Sequence, residues 1–218
     1  VANSLVNTHP DSVLALLKQF RDSINLEPKE TQIYYQLLTI KAKDKAYITH
    51  TSDSILLKVL HYYENKKDKR HLPEVYYYAG RVYRDLGDAP QALDFFFQAI
   101  DASYLYMDYK LVSRIYSQIG TLYLYQNVYD KAPEAFCKAY QFSILSKDSI
   151  SMIYNLRDIG RAFSTQEKVD SAIYYYKKAD MLADKIENLN LKRIINGELS
   201  GYYTKLGMYQ EAYKSMQI

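Results

Sequence analysis

Cysteine occurs once in this chain of 218 residues, at Cys137, so no disulfide can form within it, and the residue reads as a small, buried or half-buried apolar side chain. Tryptophan is absent, and glycine and proline are sparse, at seven and five residues. The glycines never gather into a loop that could cradle a phosphate. The four histidines, His9, His50, His61 and His71, fall at no metal-ligand spacing, so neither a metal nor a cofactor is expected. No apolar run approaches the roughly 18 residues of a membrane span, and no charged-then-apolar leader opens the chain. Excess charge is also lacking. A net charge of +3 is too small for a general polyanion binder, and the one basic run, Lys66-Lys67-Asp68-Lys69-Arg70, reads as a solvated loop and not as a nucleic-acid patch. Carboxylates are plentiful, but without a cleft no acid and base can be paired, so no catalytic residue is assigned and the chain is expected not to be an enzyme.

What is present is a repeat. Gly80, Gly120 and Gly160 recur at a constant step of 40 residues, and Ala92, Ala132 and Ala172 keep the same step. A second small position follows at Ala99, Ala139 and Ala179, with an aromatic between the two at Phe96, Phe136 and Tyr176. One step further places Ser200 where glycine would stand, while Gly207, Tyr209 and Ala212 keep register. One step back, Leu56 and Val59 fill the aromatic and second-alanine slots of a degenerate copy. The organisation read from this is one solenoid over 1–218: an N-terminal helical half-unit (1–32), a degenerate repeat (33–72), three repeats (73–112, 113–152 and 153–192) and a partial last one (193–218). The partial copy and the first residue, Val1, suggest a fragment of something longer.

Each repeat reads as two helices. Tyr76, Ala79, Val82, Tyr83 and Leu86 follow the three-and-four spacing of one helical face. Gly87 then offers a left-handed stop, and Asp88 a cap for the helix that Pro90 opens from its first turn. Ala92, Phe96 and Ala99 share a face on the second helix, small where two helices must approach and aromatic where a gap needs filling. Asp108, Asp148 and Asn188 stand at the same step of 40 just ahead of first-helix runs, as N-caps do. Asp68 is in phase with them, but Pro73 would then fall past the first turn, so that helix is predicted to begin near Leu72. Pro133 falls within a first turn, where its missing N–H does no harm. Near the N-terminus, Pro10-Asp11-Ser12 precedes Val13, Leu16, Leu17 and Phe20 on a further amphipathic helix.

These residues resemble the tetratricopeptide repeat, in which a large aromatic, a Leu-Gly pair and a Tyr mark the first helix, and Ala, Phe, Ala and Pro the second. One copy here reads Tyr76, Ala79-Gly80, Tyr83, Ala92, Phe96, Ala99, and the next Tyr116, Ile119-Gly120, Tyr123, Ala132, Phe136, Ala139. The step of 40 exceeds the family's usual length of about 34, and the closing Pro is missing, as in longer-period members with longer helices. The resemblance implies an all-α fold, a right-handed α-solenoid of antiparallel helix pairs, and a non-enzymatic protein- or peptide-binding role.

Carried over position by position, the family's groove-facing residues fall on Tyr77, Arg81 and Arg84, then Arg114, Thr121 and Tyr125, then Tyr154, Arg157 and Arg161. Tyrosine offers rigid amphipathic area and arginine a fork for carboxylates, the composition of binding hot spots. The alternative is that these arginines pair with Asp85, Asp158 and other carboxylates on a solvated face. Lys and Asn at the positions of the family's clamp for a C-terminal carboxylate are missing, so chaperone-tail binding is not implied. Of the 25 tyrosines, Tyr76, Tyr83, Tyr116, Tyr123 and Tyr203 are assigned to the core, whereas Tyr76-Tyr77-Tyr78 turn by about 100° per residue and cannot all face one neighbour.

The opening, Ala2-Asn3-Ser4-Leu5 with His9-Pro10-Asp11-Ser12-Val13-Leu14-Ala15-Leu16-Leu17, resembles the start of exported bacterial tetratricopeptide sensor and regulator proteins. That implies an extracytoplasmic docking or sensing module in the periplasm or cell envelope, as part of a larger regulatory protein. The long step also resembles cytoplasmic peptide-sensing regulators. A third possibility is self-association, or a scaffold role, through the last repeat.

Overall fold

The computed structural model describes residues 2–217. They form helices throughout: α1 (Ala2–Leu5), α2 (Pro10–Gln19), α3 (Lys29–Lys45), α4 (Ser54–Asn65), α5 (Leu72–Asp85), α6 (Ala89–Ser103), α7 (Tyr109–Tyr125), α8 (Ala132–Leu145), α9 (Ser149–Thr165), α10 (Val169–Lys185), α11 (Leu189–Lys205) and α12 (Tyr209–Met216), with one 3-10 turn at Ile24–Leu26. They fall into two compact units, the first ending at Met107 and the second beginning at Asp108. The all-α fold expected from the repeat is the fold observed.

In the first unit, α2 packs on α3, α3 on α4, α4 on α5 and α5 on α6. Val13 and Leu17 of α2 are buried against Leu38 and Ala42 of α3, whereas Phe20 lies past the end of α2 and is half exposed. Leu56 and Val59 of the degenerate copy are buried on α4. In the second unit, α7 pairs with α8, α9 with α10 and α11 with α12, and successive pairs stack through α8 on α9 and α10 on α11. First helices also touch one another, α3 with α5 in the first unit, and α7 with α9 and α9 with α11 in the second.

The small residues do what their size permits. A Cβ built on Gly80 would lie 2.5 Å from two ring carbons of Phe96, and one on Gly120 would lie 2.8 Å from Phe136. The helices of these pairs therefore approach until a ring rests on bare backbone. In the last pair the aromatic slot holds Met216, which is exposed, and the residue facing α12 is Ser200. Without a ring above it, Ser200 keeps its Cβ and donates its hydroxyl to the Ala212 carbonyl at 3.0 Å. That contact explains the loss of glycine from the fourth copy.

A finer rhythm sets the turns. Tyr47, Lys67, Gly87, Asn127, Lys147, Glu167, Glu187 and Gly207 all have positive φ and recur every 20 residues, with Met107 the one skipped position. Each follows a helix and turns the chain in the left-handed conformation before the next helix begins. The polar residue one place after this step supplies the cap where it can, after the skipped Met107 as well: Asp88 accepts from the Gln91 N–H, Asp108 from Lys110 and Leu111, Asp148 from Ser151, and Asn188 from Leu191. The helix over Pro73 begins at Leu72, as its proline requires.

Candidate functional site

The nine groove residues read from the sequence fall on α5, α7 and α9, and the structure gives them unequal surroundings. Tyr77 is 2% exposed. Its ring meets Tyr78 edge-on at 5.0 Å and Phe96 at 6.0 Å, because Gly80 opens room for that ring cluster, so Tyr77 serves the core of the first unit. Tyr76, half-buried, stacks on Phe95 from the outer side and donates to Glu64 at 3.1 Å. Of the tyrosines assigned to the core, Tyr203 is buried, and Tyr83 and Tyr116 are half-buried and stacked on Phe95 and Phe142.

Also on α5, Arg81 forms an ion pair with Asp44 of α3 at 2.5 Å, and Lys41 of α3 pairs with Glu74 at 2.7 Å. Arg84 turns to its neighbour Asp85, Nη2 to Oδ1 at 2.6 Å and Nε at 3.2 Å. The second Asp85 oxygen accepts the backbone N–H and Nδ1 of His50, at 3.1 and 2.8 Å. Burial opposes the Asp85 charge, but these hydrogen bonds outweigh it and hold its pKa below the ordinary value. The charges of this face are matched in pairs.

In the second unit the site centres on α9. Arg157 lies over the Tyr154 ring at 4.9 Å and donates to Asp158 Oδ1 from both Nε and Nη2, at 3.0 and 2.8 Å. Glu198, on the adjacent first helix α11, is 3.6 Å from Arg157 Nε. Arg161 approaches Asp158 Oδ1 only at 3.4 Å, and its Nε is buried without a hydrogen-bond partner. Asp158 is itself 4% exposed and thus serves two guanidinium groups from below. Glu198 is raised in pKa by burial in spite of both arginines. On α7, Arg114 and Thr121 are half-buried, Thr121 bonds back to the Ser117 carbonyl at 2.9 Å, and Tyr125 is 70% exposed at the helix end.

Beneath this face lies a polar line that the repeat pattern did not signal. Asn155 donates to Ser113 Oγ at 3.2 Å, and Ser113 donates to the Ala139 carbonyl at 2.8 Å, all within the buried interior. Nothing in the spacing of Ser113 and Asn155 along the sequence distinguishes them from other small polar residues. Among the described residues no cluster of three or more His, Cys, Asp or Glu side chains could hold a metal ion, and no helix is long and apolar enough to cross a membrane.

No protein-family profile matches the sequence. Uncharacterized protein ycf37 of Cyanophora paradoxa is 32% identical over 105 residues, which are 47% of this chain, and the match spans 59% of that relative. Among solved structures, BtubC from P. vanneervenii superposes with a TM-score of 0.75 at 14% identity, over 95% of this chain and 88% of that one. A signal transduction ATPase with numerous domains from Pyrococcus horikoshii, which carries a tetratricopeptide repeat sensor, gives a TM-score of 0.77 at 14% identity, over 96% of this chain and 33% of that one. At such identities the likeness is one of fold.

Proposed function

From a helical-repeat fold of the tetratricopeptide type, we propose that this chain is a non-enzymatic module that binds a protein or an extended peptide, as the sensing or docking part of a larger bacterial regulatory protein. The observation that carries this reading is Arg161. Its guanidinium has its ion-pair carboxylate no nearer than 3.4 Å and a side chain 36% exposed, whereas Arg81, Arg84 and Arg157 are each tied to an aspartate at 2.8 Å or less. An arginine held in place from below, with donors to spare, is suited to receive a partner carboxylate. Tyr154, over whose ring Arg157 lies on the same helix, supplies rigid apolar area, and Tyr125, 70% exposed, adds aromatic surface on α7 of the same unit. The sensor role named for the Pyrococcus horikoshii protein supports the regulatory part of the reading, and the Pro10-Asp11-Ser12 opening supports a place in the cell envelope.

Fluorescence anisotropy with peptide libraries tests it. Wild-type protein should bind acidic extended peptides, and the combined Arg81→Ala, Arg157→Ala, Arg161→Ala variant should bind them at least tenfold more weakly, most of the loss following Arg161→Ala alone. Equal binding by wild type and Arg161→Ala would remove the site. A second reading, self-association, draws on α12, where Tyr209, Tyr213 and Met216 form one stripe that is 65–70% exposed. Light scattering that gives a monomer at high concentration would end that reading.

A further inference from the structure

Between α3 and α4 of the first unit there is a small cavity of about 90 Å³, lined among others by Thr39, Lys43, Thr49, His50, Ser52 and Ser54. One water needs about 15 Å³ of such space, so the cavity has room for about six, or for a solute of five heavy atoms. The His50 side chain is only 5% exposed. With Nδ1 committed to Asp85, its Nε2 is left buried and without a partner. Buried ring nitrogens are normally satisfied, so this one points to a missing polar group.

Three further features define that group. First, α4, twelve residues long, brings its N-terminal turn to the cavity through Ser54, Ile55 and Leu56. Asp53 stands at the cap position but does not cap, because its carboxylate accepts the Tyr83 hydroxyl at 3.0 Å. The positive end of the helix is thus left to a ligand, apart from the Ser54 N–H, which Ser52 Oγ accepts at 3.2 Å. Second, Lys43 supplies a cation that lines both the cavity and a wider groove of about 540 Å³, where Lys18 and Arg21 also stand. Among the described residues, no carboxylate lines either space. Asp85, behind His50, is matched by Arg84. Third, Asp85 takes up Nδ1 and leaves Nε2 for the ligand, and a neutral ring there accepts a proton that the ligand offers. An oxyanion that keeps one proton near neutral pH meets all three demands.

We propose that this cavity binds inorganic hydrogen phosphate: its oxygens accept from Lys43, the first turn of α4 and the lining hydroxyls, and its O–H donates to His50 Nε2. Sulfate has the same shape and no proton, which makes it the control.

Calorimetric titration of the full chain at neutral pH and constant ionic strength tests the site, with inorganic phosphate and sulfate as the probes and glycerol phosphate as a third arm. Phosphate should bind one to one, at least tenfold more tightly than sulfate. Lys43→Met should lower phosphate affinity at least tenfold with an unchanged far-ultraviolet spectrum, and Lys43→Arg should restore most of it. Tighter binding of glycerol phosphate than of inorganic phosphate would overturn the assignment to the free ion and give the site to an ester. No heat with phosphate, or equal affinity in Lys43→Met, would overturn the site, and sulfate bound as tightly as phosphate would overturn the role of Nε2.

Discussion

Gly80→Ala isolates the packing on which the repeat depends. Inside a helix, alanine is favoured over glycine by about 1 kcal/mol, so the substitution should stabilise wherever there is room. There is none at residue 80. The new methyl would sit 2.5 Å from Cδ1 and Cε1 of Phe96 and 2.8 Å from Cζ, against the roughly 3.5–4.0 Å of an ordinary carbon contact. Phe96 is fully buried and further confined by Tyr77, so the ring cannot swing aside. Overpacking costs about 1–3 kcal/mol, and three ring atoms overlapped by ~1 Å belong at the upper end, which leaves a net loss of about 2 kcal/mol.

The same substitution elsewhere gives an internal series. At Gly120 all three contacts with Phe136 stand at 2.8 Å, and at Gly160 the nearest atoms, the Ala172 carbonyl and two carbons of Tyr176, are at 3.2 Å. Gly120→Ala should therefore cost about 1 kcal/mol, and Gly160→Ala close to nothing, as the gain in propensity offsets a few tenths of an ångström of adjustment. Ser200 already shows that a side chain is tolerated at this position once the ring is gone. Urea unfolding followed by circular dichroism, with slopes compared to confirm like transitions, measures all three. Truncating the ring in Phe96→Leu should shrink the Gly80→Ala penalty, and the double-mutant cycle reports the coupling. A Gly80→Ala protein as stable as wild type, or a Gly160→Ala protein less stable than Gly80→Ala, would refute the reasoning.

Lys147 and Glu187 have φ of 53° and 54° and occupy the left-handed turn position that Gly87 and Gly207 fill elsewhere, so Lys147→Gly and Glu187→Gly should each stabilise by about 0.5–1 kcal/mol in urea unfolding. A loss in both would show that their side chains outweigh the backbone strain. Asp148 caps α9 and meets Lys110 at 2.9 Å. Burial raises its pKa, but the Lys110 and Ser151 hydrogen bonds prevail and hold it below the ordinary 3.8. Its contribution is thus complete above the unfolded-state value and is lost as the pH falls through the lower folded value. Asn caps as well as Asp, so Asp148→Asn should cost only the charge contribution, about 0.3–1 kcal/mol at neutral pH. That difference should close as unfolding is measured toward pH ~3, and a constant difference would contradict it.

What the sequence revealed follows from what repeats. Gly80, Phe96 and Ala92 recur because every helix pair must solve the same close approach, and Asp108, Asp148 and Asn188 recur because every first helix must be capped, so one chain contains several copies of each solution. The left-handed turns recur just as strictly, every 20 residues, yet six of the eight are not glycine, so the conformation repeats where the residue type does not. Chain order could show Gly87 but not those six.

Sites obey no such period. Tyr77 occupies a position that faces the groove in the family pattern, but a buried ring cluster around Gly80 and Phe96 claims it, and no residue next to it in sequence signals that claim. Arg157 and Arg161 lie four residues apart on one helix and look alike in the sequence. Glu198, 41 positions after Arg157, lies 3.6 Å from Arg157, whereas Arg161 has its nearest carboxylate at 3.4 Å and Nε unused. The cavity beside His50 is less legible still, since it combines Lys43 from α3, a connecting segment, the start of α4 and, through Asp85, the end of α5. A repeat propagates its scaffold residues through the chain, whereas a site is built from the positions at which the copies differ, and those acquire meaning only when the helices bring them together.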